Sequence, residues 1–139
     1  MTGPGAVTAS ETVEIKTDTD LVRVRQAVRA SAVDARLSLL DQTKVVTAAS
    51  ELARNALVHG GGGTVTVEAV SDGRREGLRV VFMDSGPGIT EIENALLEGY
   101  STAGGLGLGL PGARRLVDCF VLQSEPGTGT RVEVTKWRR

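Results

Sequence analysis

In the stretch "ELARNALVHG", Glu51 and Asn55 stand four residues apart, a spacing that sets a carboxylate and an amide on one face of a helix. A carboxylate so placed can take a proton from a hydroxyl. An amide oxygen one turn away can ligate a hard cation such as Mg²⁺, which accepts few protein ligands and completes its shell with phosphates and water. A solvated polar stripe would use the same spacing. Asp84 ends an apolar run in "MDSGPGI" and is followed by Gly86 and Gly88. At the floor of a pocket, its carboxylate would accept a hydrogen bond from an exocyclic amine and repel a carbonyl oxygen, favouring adenine over guanine. The two glycines would let the backbone pass close to a flat ring. A plain turn after a strand would carry the same letters.

Gly104, Gly105, Gly107 and Gly109 crowd the stretch "GGLGLGLPGARRLVDCF" just before a helical pattern. Ordered glycines are entropically costly, so the stretch is either a linker or a place where backbone must approach something closely. Amides ahead of a helix can cradle a phosphate. No "GK[ST]" follows, so this is not a Walker A loop, and "GYSTA" before it is not the buried strand of a dinucleotide fingerprint. "GTGT", residues 127–130, reads by itself as a hairpin turn.

These groups must be held by regular elements. Alternation predicts strands over 12–16 and 64–70, and a mostly apolar run predicts the next, central one over 78–84. Two further strands, 119–125 and 130–137, flank the "PGTG" turn. Helical spacing predicts a helix over 18–37, capped by Asp18 or Thr19, and a second over 41–60, capped by Asp41 and closed by a left-handed Gly60. A third covers 106–118, and 91–100 is a short helix or lid segment. Residues 1–10 are small and polar and read as a flexible N-terminus before a single domain at 11–139. The pattern is that of an α/β two-layer sandwich: one mixed, mostly antiparallel sheet with helices on one face.

Composition narrows the functions. With 139 residues, 40% hydrophobic and a formal charge of −1, the chain suits one soluble domain. No basic stripe marks nucleic acid as a partner, and no apolar run approaches the length of a membrane span. The single cysteine, Cys119, lies in an apolar run and reads as a small buried hydrophobe. The N-terminus has neither a basic nor an apolar leader region, so the cytoplasm is the expected location.

Taken in order, "ELARNALVH", "DSGPG", "GGLGLGL" and "GTGT" resemble the motif series of the GHKL ATP-binding superfamily of gyrases, heat-shock chaperones, histidine kinases and mismatch-repair ATPases. The likeness covers residues 12–137. Within the superfamily, "ELARNA", "EGYSTAGGLGLGLPGARRLVD" and the closing "KW" are most similar to the small serine/threonine kinases of bacterial sigma-factor regulation, the stressosome switch kinases ahead of the anti-sigma factor kinases. The resemblance implies the Bergerat ATP-binding fold, with ATP and Mg²⁺ as cofactors. It implies Glu51 as general base for the attacking hydroxyl and Asn55 as magnesium ligand. Asp84 would hold the adenine amine, supported by Thr130 through its hydroxyl or a water. Gly86 and Gly88 would shape the adenine pocket, and Gly105, Gly107 and Gly109 would offer amides to the phosphates under a lid near 90–104. The implied substrate is a STAS-domain antagonist or scaffold protein, phosphorylated on serine or threonine, with a phosphatase as a further partner. One departure stands out. Anti-sigma kinases carry a lid arginine, whereas Val80 to Ala113 contains no Lys, Arg or His. A different reading is an ATP-gated binding module that grips a regulatory partner without catalysis; an intact Glu51 speaks for the enzyme.

Overall fold

Alternating valines make the sheet. In the computed structural model, which describes residues 5–87 and 109–139, β1 (Ala6–Ile15), β2 (Gly63–Ser71), β3 (Glu76–Asp84), β4 (Cys119–Glu125) and β5 (Gly129–Trp137) form one five-stranded sheet. Its order is β1-β2-β3-β5-β4, and every pairing is antiparallel, with no parallel pair in the sheet expected to be mixed. Val13 and Ile15, Val65 and Val67, Leu78, Val80 and Phe82, and Val132 and Val134 form one continuous core with the helices. Each set recurs at every second residue, as a sheet with one covered face requires.

The covering layer is α1 (Asp18–Asp34) and α2 (Leu39–Val58), with the short α3 (Leu110–Arg115) beside α2. Leu21, Val24, Val28 and Ala32 are the buried stripe of α1. The stripe of α2 is mostly small: Val45, Ala48, Ala49, Leu52, Ala53 and Ala56. Alanines there let the helix axis come close to its neighbours while keeping helix propensity high.

Several boundaries differ from those expected. β1 reaches back to Ala6, well before residue 12, because its first half is held by backbone pairing with β2 (Ala6 opposite Ser71) while its side chains stay exposed. Residues 1–4 lie outside the description. The cap of α1 is Thr17, one residue before the expected pair. Asp20 Oδ2 accepts from the backbone N–H groups of Lys16 (2.8 Å) and Thr17 (3.0 Å), and these bonds hold its carboxyl below the usual aspartate range. α2 begins earlier than Asp41 because Ser38 Oγ accepts from the Asp41 N–H (3.1 Å). Asp41 is free of capping and turns inward to Lys136 Nζ (3.5 Å). Lys136 also faces Asp118 (3.7 Å), and Asp118 accepts from the Trp137 N–H (2.8 Å) and from Arg139. The start of α2, the approach to β4 and the end of β5 thus meet on one buried ammonium.

α1 ends in a Schellman turn: Leu37 N–H reaches Ala32 O (3.0 Å) and Arg36 N–H reaches Val33 O (2.9 Å). The left-handed position is filled by Arg36, at φ 61°, where glycine is the usual occupant. At the other end of α2, Gly60 is not the left-handed cap expected. His59 closes the helix in right-handed geometry, and the positive φ values fall on Gly61 (74°) and Gly62 (110°). Of the expected 106–118, residues 106–108 lie outside the described residues, and α3 covers only Leu110–Arg115 of the rest, with Gly109 as N-cap and Pro111 in its first turn. Six residues give little macrodipole, so an anion site here must rest on loop amides.

Candidate functional site

The chemistry gathers at one end of the sheet. β3 finishes at Asp84, which stands in register between Gly63 of β2 and Thr130 of β5. Paired positions in a ladder point to the same side, so Asp84 and Thr130 share the helix-covered side with Phe82 and Val132. Gly86 N–H donates to Asp84 Oδ1 (3.0 Å), which fixes one carboxylate oxygen. The next residue, Pro87, accepts from Gly127 N–H (2.7 Å). The loop after Asp84 and the "GTGT" turn, some forty residues apart in sequence, are therefore joined by backbone. Gly129, at φ 133°, makes that approach possible: a Cβ there would lie 2.9 Å from Ser85 Cα.

Thr130 Oγ1 is 2.9 Å from Ser124 Oγ, which also donates to Gly129 O (3.0 Å). Ser124 was not singled out from sequence. Its signal is positional: it is the residue of β4 directly opposite Thr130 across the hairpin.

α2 supplies Glu51 and Asn55, both half-buried on the expected common face. The Asn55 carbonyl accepts from His59 N–H (2.9 Å) and Gly60 N–H (3.1 Å), closing the helix. The glycine stretch arrives at Glu51. Gly109, at φ 62°, sits so close that a Cβ on it would lie 2.7 Å from both Cγ and Cδ of Glu51. The first and third motifs thus meet at the carboxylate, and the second and fourth at Asp84. Gly88, Gly105, Gly107 and the segment 91–100 lie outside the described residues. Arg54, His59 and Arg114, the nearest basic candidates in sequence, are all exposed to solvent.

The profile of the family described as histidine kinase-, DNA gyrase B-, and HSP90-like ATPase matches residues 40–139. The chain belongs to that family. The chain is similar to the serine/threonine-protein kinase RsbT of Bacillus subtilis, 43% identical over 127 residues, which make up 91% of this chain and 96% of RsbT. An anti-sigma F factor of Clostridium kluyveri is 33% identical over 120 residues, 82% of each chain. One from Thermoanaerobacter is 29% identical over 119 residues, 81% of this chain and 82% of that one. A crystal structure of the RsbU and RsbW domains of Rv1364c from Mycobacterium tuberculosis superposes with a TM-score of 0.66 at 22% identity. It covers 95% of this chain and 34% of that one, so it speaks for the fold. The GHKL fold and the kinship with its serine/threonine kinases, expected from the four motifs, both stand. ATP is the nucleotide of such an ATPase. Among the described residues no helix is long and apolar enough to cross a membrane.

Proposed function

We propose that this chain transfers the γ-phosphoryl group of magnesium-bound ATP to a serine or threonine of a STAS-domain protein, in a bacterial partner-switching pathway of the cytoplasm. A phosphatase is the further partner in this reading. The observation that carries it is the likeness to RsbT over nearly the whole of both chains, with the glycine stretch ending against Glu51.

The residues present fit the cofactors. Asp84 lies where three chain segments crowd together, with one carboxylate oxygen tied to Gly86 and the other left for an exocyclic amine. Thr130 stands beside it in register, its hydroxyl oriented by Ser124. Gly86 and Gly88 shape the adenine pocket, and Gly105, Gly107 and Gly109 offer phosphate amides. Asn55, on the same helical face as Glu51, would hold Mg²⁺ through its amide oxygen. Magnesium, when bound, supplies counter-charge to the phosphates; the absence of any basic side chain between Val80 and Ala113 makes that contribution large. Glu51 orients the attacking hydroxyl and accepts its proton as the oxygen–phosphorus bond forms and the bond to the leaving ADP breaks.

The test separates catalysis from mere gripping of a partner. Glu51→Ala should bind Mg·ATP as the parent does, by calorimetry, and lose about 10²–10⁴-fold in transfer of labelled phosphate to STAS-domain proteins of the same genome. Unchanged transfer removes Glu51 as base. A parent protein that binds ATP and labels no partner leaves only the binding module.

A further inference from the structure

Gly60 follows the end of α2, and nothing in the motif pattern gives it a role beyond capping. It does not cap in left-handed geometry, so backbone conformation does not explain the glycine. Space does. A Cβ on Gly60 would lie 2.6 Å from Asp84 Cβ and 2.7 Å from Asp84 Oδ2. Gly86 presses from the third side: a Cβ there would lie 2.9 Å from Gly60 O. Asp84 Oδ1 is already engaged by Gly86 N–H (3.0 Å), so Oδ2, the oxygen against Gly60, is the one left to receive a ligand hydrogen.

We infer that Gly60 is a specificity-determining residue: by lacking a side chain it lets Asp84 keep the rotamer in which Oδ2 meets the exocyclic amine of adenine. This rests on the reading of Asp84 as the amine's partner. Alanine at 60 is compatible with the local backbone but not with that carboxylate position. Asp84 must swing, which takes Oδ2 away from the amine, or the end of α2 must move. A swing of Asp84 leaves the phosphate end of the site as it was, whereas a shift of α2 would carry Asn55, whose backbone carbonyl accepts from Gly60 N–H (3.1 Å), and would weaken both ligands.

The experiment compares ATP with purine riboside triphosphate, which lacks only the 6-amino group, by calorimetry with Mg²⁺ on the parent, Gly60→Ala and Gly112→Ala. Gly112 is a helical glycine with nothing among the described residues within 4 Å of where its Cβ would stand, and serves as the control for a glycine substitution as such. The parent should prefer ATP by about 10–100-fold, the cost of an unpaired buried polar group. Gly60→Ala should bring the two ligands within about threefold by weakening ATP alone, and Gly112→Ala should keep the parent's ratio. A Gly60→Ala chain that keeps the preference, or weakens both ligands equally, overturns the role of Gly60 while leaving Asp84 as amine partner. A parent without preference overturns the reading of Asp84 and the inference with it. Should Gly60→Ala fail to fold, the same change is made on Asp84→Gly. Folding restored to the level of Asp84→Gly alone supports the inference, and failure to restore it overturns it.

Discussion

Gly109→Ala tests the meeting of the glycine stretch with the proposed base. Ordinary van der Waals contact begins at 3.4 Å, and the new methyl would stand 2.7 Å from Glu51 Cδ. The carboxyl group must therefore retreat by at least about 0.7 Å, more at Oε1, which lies nearer still, or the loop must lift by as much. Misplacing a catalytic group by about 1 Å costs on the order of 10²-fold in rate. The expected loss in single-turnover transfer is thus about 10–100-fold, or ~1.4–2.7 kcal/mol of transition-state stabilisation. The left-handed φ of 62° adds strain of about 1–2 kcal/mol against overall stability, to be read separately from a urea melt. Nucleotide affinity, read by calorimetry, separates the two responses: a displaced Glu51 leaves it parental, because the base acts on the hydroxyl and not on ATP, whereas a lifted loop also moves the Gly109 amide assigned to the phosphates and weakens ATP. The decisive comparison is the double variant. If the methyl acts through Glu51, adding Gly109→Ala to Glu51→Ala should slow transfer no further. A Gly109→Ala chain with parental transfer, or one whose loss is repeated in full on the Glu51→Ala background, refutes the reasoning.

Chelation, or Asn55→Ala, should weaken ATP by about tenfold or more (~1.4 kcal/mol) and ADP much less, since the γ-phosphate loses its main counter-charge; equal affinities in calorimetry with and without metal would point to a basic side chain instead. Lys136→Met should destabilise the fold by about 3 kcal/mol in urea unfolding, because Asp41 and Asp118 then face each other with only Arg139 between them. Arg36→Gly should raise stability by about 1 kcal/mol in the same assay by removing the left-handed penalty at the end of α1; no gain would mean that the Arg36 side chain makes a compensating contribution.

How much of this was legible in the sequence depended on what held each element. β4 runs from Cys119 to Glu125 as the "PGTG" turn beside it indicated, and β2 and β3 differ from expectation by only one or two residues at their ends. In β2 and β3 the signal and the stabilising force coincide: the apolar residues Val65 and Val67, and Leu78, Val80 and Phe82, are the ones that enter the core. The first half of β1 is different. Ala6 to Thr12 bury no side chain and are held by hydrogen bonds to β2, which leave no mark on residue type. The start of α2 misled for a related reason: Leu39 and Leu40 are exposed, so periodicity does not include them, and Ser38 caps ahead of them. The six-residue α3 was overestimated because its apolar continuation, Leu116 and Val117, packs against the core from outside the helix.

The site was legible as four motifs but not as two meetings. Sequence order separates "DSGPG" from "GTGT" by the whole of the glycine stretch, α3 and β4. The sheet order undoes that separation, because β5 inserts between β3 and β4 and its opening turn lands on the loop after Asp84. Likewise Gly109 meets Glu51 because α3 packs on α2. This changes what the glycines are for. A glycine next to an anion site suggests amides offered to phosphate, and that suggestion needs nothing but local sequence. Gly60 and Gly109 each stand against an acidic side chain from another element, Asp84 and Glu51, in positions where any Cβ would displace it. The choice of glycine there is set by the partner's carboxylate, not by the glycine's own neighbours, and only tertiary contact reveals it. Substitutions at these two positions should therefore be read through Asp84 and Glu51: one changes which base is preferred, the other how fast phosphate moves.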